Sequence, residues 1–309
     1  MFGRVIRSTG SSSTVRSEDG RLLECKLRGI MRTKGLRTTN PVAVGDKVEL
    51  EDAGNGEFFI SEVLPRENYL IRRSVNLSKE AHVLAANIDK AYVIVTLKSP
   101  RTSHGFIDRI LLTCEAYHIP AMLVVNKADL LKTDVDFDQL AGLIDTYTGA
   151  GYEVLVVSVL EKSNLDLLHT EMDGKVNLFS GHSGTGKTSI INSLNPNISL
   201  RVGEISEAHQ KGKHTTTFAE LVEIWENTYV IDTPGVKEFG IVDMEKSEIG
   251  TYFPEIRKFA LHCRFSNCLH QHEPNCAVKA AVEKGDLDAG RYHSYIGILE
   301  SEELASEFD

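Results

Sequence analysis

No run of apolar residues in this chain approaches the ~18 that a membrane-spanning helix needs. Its start, MFGRVIRSTG, also lacks the hydrophobic stretch of a secretory signal, so a soluble, cytoplasmic protein with no membrane partner is expected. Proline is scarce, at 8 residues, and neither an internal repeat nor a low-complexity tract longer than Ser11 to Ser13 is present. Collagen-like, coiled-coil and disordered architectures are thereby excluded. The five cysteines are too few, and odd in number, for a disulfide framework. Cys25 alternates with Leu23 and Leu27, and Cys114 sits in an apolar run, so both are expected to be buried as small hydrophobes. Nor is there a general excess of positive charge: the net charge is -10, which speaks against a uniformly basic coat, and DNA is not an expected partner.

What is present is ordinary globular material, 41% hydrophobic and 25% charged, in 309 residues. That exceeds the roughly 250 to 300 residues over which one core stops growing, so two or three domains are expected. The charge is divided unevenly: residues 1 to 80 carry 14 Lys and Arg against 11 Asp and Glu, leaving the acidic excess to the remainder. Within residues 1 to 48 ten basic side chains face only Glu18, Asp19, Glu24 and Asp46. That segment is placed to meet phosphate, or else only to solvate a small β module.

Short alternating strands are predicted at Arg4 to Ser8, Ser13 to Ser17, Leu22 to Arg28, Lys47 to Glu51 and Phe58 to Leu64. Five strands in so short a length suggest an all-β barrel of the oligonucleotide/oligosaccharide-binding (OB) kind, with an SH3-like barrel as the alternative. Glu67 to Ala86 shows no clear period and is expected to be a connector. From Lys90 the rhythm becomes strand, helix, strand: Ala91 to Leu97, Phe106 to Tyr117, Ala121 to Val125, then strands at Val154 to Ser158 and Val176 to Phe179. Such alternation implies an α/β domain with a mostly parallel sheet. Phe218 to Ile224 and Thr228 to Ile231 read as a hairpin about Glu226-Asn227, and beyond Gly240 the chain becomes helical and polar. The expected domains are a barrel at 1–70, an α/β domain at 71–240 and a helical module at 241–309.

Gly181-His182-Ser183-Gly184-Thr185-Gly186-Lys187-Thr188 is a P-loop, set between Ser180 at the end of an apolar strand and the helix Ser189 to Leu194. Its backbone N–H groups suit phosphate oxygens, Lys187 the outer phosphates, and the Thr188 hydroxyl a magnesium ion. Asn126-Lys127-Ala128-Asp129 follows a strand, and the Asp129 carboxylate can accept both hydrogens of the guanine N1 and N2 edge, which adenine cannot offer. Ser158 and Val159 belong to the expected second base loop. Asp232-Thr-Pro-Gly235 ends the hairpin, with Asp232 suited to hold magnesium through water and the Gly235 N–H to sense the terminal phosphate. Lys211 to Thr217 supplies a switch loop in which Thr215 or Thr216 can complete the magnesium shell. Cys263, Cys268, His270 and Cys276 offer three thiolates and an imidazole, the donor set of a closed structural zinc site, with His262 and His272 as possible substitutes.

These parts resemble the translation-factor-like GTPases, but the base motif precedes the P-loop, so the chain reads as a circularly permuted GTPase. With its five-strand barrel and Cys/His cluster it resembles, over nearly its whole length, the ribosome small-subunit-dependent GTPase A family of bacteria. The resemblance implies GTP and GDP as ligands, Mg2+ and one structural Zn2+, the 30S subunit and its rRNA as partners, and a monomer. It implies a GTPase of late 30S maturation that binds in the GTP state and leaves after rRNA-stimulated hydrolysis. Val236 stands where many relatives carry the water-orienting glutamine, so intrinsic turnover should be slow. His214 is the candidate for positioning water, as the resemblance also suggests, against the alternative that it packs or contacts RNA. Two rivals are an ATP-dependent enzyme, opposed by Asn126 to Asp129, and an RNA-binding scaffold in which turnover is incidental.

Overall fold

The structure is a computed structural model that describes residues 1–9, 12–28, 40–54, 56–73, 81–198, 220–232 and 244–301. Five strands open the chain: β1 (Phe2–Ser8), β2 (Ser13–Ser17), β3 (Leu22–Leu27), β4 (Lys47–Asp52) and β5 (Phe58–Val63). After them come β6 (Tyr69–Arg73), β7 (Ala81–Ala86), β8 (Lys90–Val95), α1 (His104–Ala116), β9 (Ala121–Val125), α2 (Asp134–Gly149), β10 (Glu153–Val156) and α3 (Leu165–Met172). The chain continues through β11 (Val176–Ser180), α4 (Lys187–Leu194), β12 (Glu220–Trp225) and β13 (Thr228–Asp232). It ends in α5 (Lys246–Ile249), α6 (Pro254–Ala260), α7 (Ala277–Lys284) and α8 (Ala289–Leu299). The residues form two compact units, Met1–Ala91 with His169–Phe179 and Thr188–Lys237, and Tyr92–Leu168 with Ser180–Lys187 and Glu238–Asp309.

In the first unit the order β1-β2-β3-β5-β4 closes on itself, because β1 pairs antiparallel with both β2 and β4. β3 and β5 run parallel. Alternation along each strand places Val5, Val15, Leu23, Cys25, Val48, Leu50 and Ile60 in one core. A register shift in β1 between Val5 and Arg7 bends the strand, as a bulge does, and helps the small barrel to close. This closed five-strand order is that of the OB-like barrel, which decides the alternative left open by the pattern. β1 also pairs with β12 at Arg7 and Glu220, and β12 with β13, which lies parallel to β11.

The segment expected as a connector is instead an antiparallel hairpin of β6 and β7. Its period is concealed by a register shift between Leu70 and Ile71, and its buried side chains, Leu70, Val83, Ala85 and Ala86, do not alternate cleanly. It is fastened at Val83, whose N–H and carbonyl both bond the Asn40 side chain, at 3.0 and 2.8 Å.

In the second unit β9 lies between β8 and β10, and β9 and β10 run parallel, with their carboxyl ends leading into the base loops. α1 begins at Ser103, whose hydroxyl caps the Phe106 N–H. α2, absent from the sequence expectations, is started by a capping box of Thr133 and Asp136. Only Asp136, Leu143 and Tyr147 of α2 are buried while Val135 and Phe137 are exposed, so its apolar face is faint.

The helical segment packs on α1 around Arg291, which is 2% exposed. Its Nη1 donates to Asp108 Oδ1 and its Nε to Glu255 Oε1, both at 2.6 Å, and its guanidinium lies 4.7 Å from the Phe253 ring centre. Removing the cation leaves two buried carboxylates without a positive partner, Asp108 keeping only the Tyr147 hydroxyl at 2.9 Å, so Arg291→Ala is expected to lose about 3–5 kcal/mol. Urea unfolding checks it, and an unchanged midpoint would contradict the account.

Candidate nucleotide site and metal centre

The base motif and the P-loop are joined by a buried amide. Asn126, 3% exposed at the end of β9, bonds Val95 O through its backbone N–H at 2.8 Å and Thr185 O through Nδ2 at 2.9 Å. A Cβ on Gly186 would lie 2.4 Å from that Nδ2, and Gly186 has φ +94, so glycine is required for the contact. Gly181 is equally constrained, since a Cβ there would fall 2.3 Å from Ile94 O.

Beyond Asn126 the chain turns through Lys127 in the left-handed region, φ 62, and then a 3-10 turn at Ala128–Leu130 that carries Asp129. The buried Ser158 hydroxyl donates to Asp129 Oδ1 at 2.6 Å and accepts from the Glu161 N–H at 3.1 Å. The Ala128 N–H bonds Val157 O at 3.2 Å, so the second base loop, with Ser158 and Val159, is bound to the first. One edge of Asp129 is thus oriented by Ser158, which holds the carboxylate in place.

In the P-loop the Lys187 ammonium donates to Gly181 O at 2.6 Å and His182 O at 3.0 Å. The Thr185 hydroxyl closes the turn on His182 O at 2.9 Å. His182 itself stacks on Phe106, ring centres 3.5 Å apart and 25° between planes. Burial, and then the Lys187 charge, hold the His182 imidazole below its usual pKa, so it is neutral at pH 7. Lys187 and Thr188 open α4, and Thr188 is buried there. Asp232 ends β13, its backbone paired with Glu220. The Asp232 side chain, His214, Thr215, Thr216, Gly235 and Val236 lie outside the described residues.

The four expected metal-ligating side chains converge, with their ligand atoms all within 4.8 Å of one another. Cys263 Sγ and Cys268 Sγ each lie 3.8 Å from Cys276 Sγ, and His270 Nδ1 lies 3.4 Å from Cys276 Sγ and 3.6 Å from Cys263 Sγ. A tetrahedral zinc with bonds of about 2.3 Å to sulfur and 2.0–2.1 Å to nitrogen requires edges of about 3.8 and 3.6 Å. The donor set and its spacing therefore fit that ion, and sulfurs this far apart are not disulfide-bonded. His262 and His272 are exposed and do not join the cluster, and Nδ1 is the His270 atom turned inward. Burial and the neighbouring thiols push the Cys268 thiol up to about 12, a crowding that a central cation would relieve. The knuckle is held from behind by Tyr292 on His270 O at 2.7 Å and Tyr295 on Leu269 O at 2.8 Å. The Glu273 carboxylate accepts three backbone N–H groups there, from Leu269, Gln271 and His272. These second supports were not found in the sequence; the tyrosines at 292 and 295 carry no motif. Cys25 and Cys114 are buried, each 1% exposed, as their patterns predict.

The close approach at Gly186 generates a test. Gly186→Ala combines a clash with a strained φ, roughly 1–3 kcal/mol, so binding of a fluorescent GDP should weaken up to about 10²-fold. Fluorescence titration checks it, and wild-type affinity would show that the contact is not needed.

The RsgA N-terminal domain family matches residues 2–60 and the RsgA GTPase family residues 63–242. "Small ribosomal subunit biogenesis GTPase RsgA 2" of Bacteroides thetaiotaomicron is 49% identical over 303 residues, covering 98% of this chain and 97% of the relative. The RsgA protein of Flavobacterium johnsoniae is 48% identical over 308 residues, covering 98% and 94%. Among solved structures, YjeQ from Thermotoga maritima superposes with a TM-score of 0.80 at 32% identity, covering 99% of each chain. YloQ, described as a circularly permuted GTPase, does so with 0.77 at 27% identity, covering 100% of this chain and 96% of its own. With its base motif ahead of its P-loop and its barrel ahead of both, the chain belongs to the RsgA GTPase family.

Proposed function

We propose that this GTPase acts in maturation of the small ribosomal subunit, the role its relatives' names carry. Guanine selection is the chemistry its described residues support best, and the Ser158 to Asp129 bond carries that reading. Asp129 accepts from the base edge, Asn126 and Lys127 hold the loop to the P-loop and its neighbour, and Gly181 to Thr188 wrap the phosphates. Thr188, Asp232 and Thr215 or Thr216 offer the hard oxygen donors a magnesium ion takes, and Mg2+ would offset phosphate charge. His214 and the Gly235 N–H are assigned to the attacking water and the terminal phosphate. Zinc at Cys263, Cys268, His270 and Cys276 is structural, since four protein ligands leave no open position.

By role the chain divides into an RNA-binding barrel at 1–70, the GTPase at 71–240 and the helical zinc module at 241–309. The GTP form binds 30S rRNA in the cytoplasm as a monomer, rRNA contact accelerates hydrolysis, and the GDP form leaves. Four described basic residues of the barrel support contact with phosphate as exchangeable partners. Arg21 pairs with Asp19, Lys26 with Glu57, Arg28 with Glu51 and Lys47 with Glu67. Arg32, Lys34 and Arg37 lie outside the described residues.

Steady-state hydrolysis of GTP and ATP with and without isolated 30S subunits tests the reading. Slow GTP turnover accelerated by 30S, with ATP inert, is expected; indifference to 30S would defeat the ribosomal assignment. Asp129→Asn tests the base contact separately. The amide offers one acceptor and one donor, which suits the N1–H and O2 of xanthine, so preference should pass from GTP to XTP. Competition binding reads it, and retained GTP preference would remove Asp129 from base recognition. For the metal, elemental analysis should find one zinc per chain in the wild type and less than one in Cys268→Ser.

A further inference from the structure

The loop that leaves the carboxyl end of β8, Thr96 to Ser103, lies against both parts of the nucleotide site. The Ser99 carbonyl accepts the Lys127 ammonium at 2.5 Å, and Lys98 reaches Asp136 at 2.6 Å. A Cβ on Gly184 of the P-loop would stand 3.4 Å from Pro100 Cδ. Thr96 and Thr102 close the loop on itself, with the Thr96 N–H on Thr102 Oγ1 at 3.1 Å and the Thr102 N–H on Thr96 O at 2.8 Å. Pro100 therefore stands beside Gly184 of the P-loop, and the next residue is Arg101.

Arg101 is exposed. Among arginines whose side chains are described it is the one with no ion pair, hydrogen bond or ring contact of its side chain. Elsewhere guanidinium groups are answered, by Glu220 at Arg7, by Asp46 at Arg66, by Asp108 and Glu255 at Arg291, or by a ring at Arg4 and Arg264. In a chain of net charge -10, an arginine left without an acid beside a phosphate-binding loop is placed for an anion.

Resting on the placement of GTP in the P-loop, we propose that Arg101 is a catalytic residue supplied by the chain itself, its guanidinium meeting the triphosphate as the γ-phosphoryl group transfers. In that step a water oxygen bonds to the γ-phosphorus and the bond from phosphorus to the β–γ bridging oxygen breaks. The electron pair stays on the β-phosphate of GDP, and a water proton passes to the released phosphate. Negative charge grows on the bridging and terminal oxygens, and a planar fork of N–H donors suits two of them at once. The sequence leaves room for such a group: Val236 cannot orient water, and among the described residues Lys187 is the one cationic side chain within the P-loop.

The test compares Arg101→Ala and Arg101→Lys with wild type in single-turnover GTP hydrolysis, without and then with 30S subunits. GDP binding and thermal unfolding are measured beside it. Loss of one such donor costs about 10²–10³-fold in rate, so Arg101→Ala should fall at least about 10²-fold. Arg101→Lys should recover part, while GDP affinity and the unfolding midpoint stay as in wild type. Binding of GDP with aluminium fluoride, which mimics the transferring phosphoryl group, should weaken in Arg101→Ala although GDP alone does not. Unchanged hydrolysis with GDP binding intact overturns the assignment of Arg101 alone. So does a defect that appears only when 30S subunits are present, which would make Arg101 an rRNA contact. A wild-type protein that binds no GDP overturns it together with the nucleotide-site reading.

Discussion

One amide, that of Asn126, sets the arrangement of the nucleotide site. Its main chain continues the β8 to β9 ladder at Val95, and its side chain crosses to Thr185 in the space that Gly186 leaves open. The Asn-Lys-x-Asp motif and the P-loop thus share a buried hydrogen bond, and losing a partner there costs roughly 1–3 kcal/mol. What must be kept is the adjacency of two loops at one end of a sheet, and the order of those loops along the chain is free. Such a fold can be cut and rejoined without disturbing the contact, as circular permutation generally requires. The presence of Asn126 to Asp129 some fifty residues ahead of Gly181 costs the site nothing.

Permutation changes what is attached to the site. The barrel meets β12 at Arg7 and Glu220, with Arg16 bonded to Glu223 on the same strand, and β12 emerges from the segment holding Thr215 and Thr216. In the other unit, Phe106 of α1 stacks on His182 of the P-loop while Asp108, two residues on, holds Arg291 of α8. Each added module grips an element whose neighbouring residues belong to a nucleotide motif. Packed and bonded side chains thus run from the P-loop through α1 to α8, the helix behind the Cys/His cluster.

Where local rules carried the information, the sequence was legible. Val5, Val15, Leu23 and Cys25 alternate inward, so the barrel strands could be placed within a residue or two. The P-loop and the Cys/His cluster are short motifs whose spacing is their geometry. Illegible elements were those in which tertiary contacts decide. β6 and β7 hide behind a register shift, and α2 buries only three side chains. The Asp108, Glu255 and Arg291 triad joins residues far apart along the chain, each unremarked as a charged residue on its own helix. Barrel type was also beyond the pattern, because five alternating strands say nothing of which pair runs parallel; that is fixed by β3 meeting β5.

Among the described residues of the barrel, acid-paired cations differ in how firmly they are held. Arg66 holds Asp46 through two bonds, 2.7 and 2.8 Å, and Asp46 is 0% exposed, so this pair is part of the fold and closed to other anions. Lys26 with Glu57, Arg28 with Glu51 and Lys47 with Glu67 are exposed on both sides, where such pairs are worth about 0–1 kcal/mol. An RNA phosphate can take the place of any of these carboxylates at little cost, and release of its counterions favours the exchange. The carboxylate stays beside the cation, so such an exchange is reversible. Contacts made this way are weak singly, sensitive to salt and readily reversed.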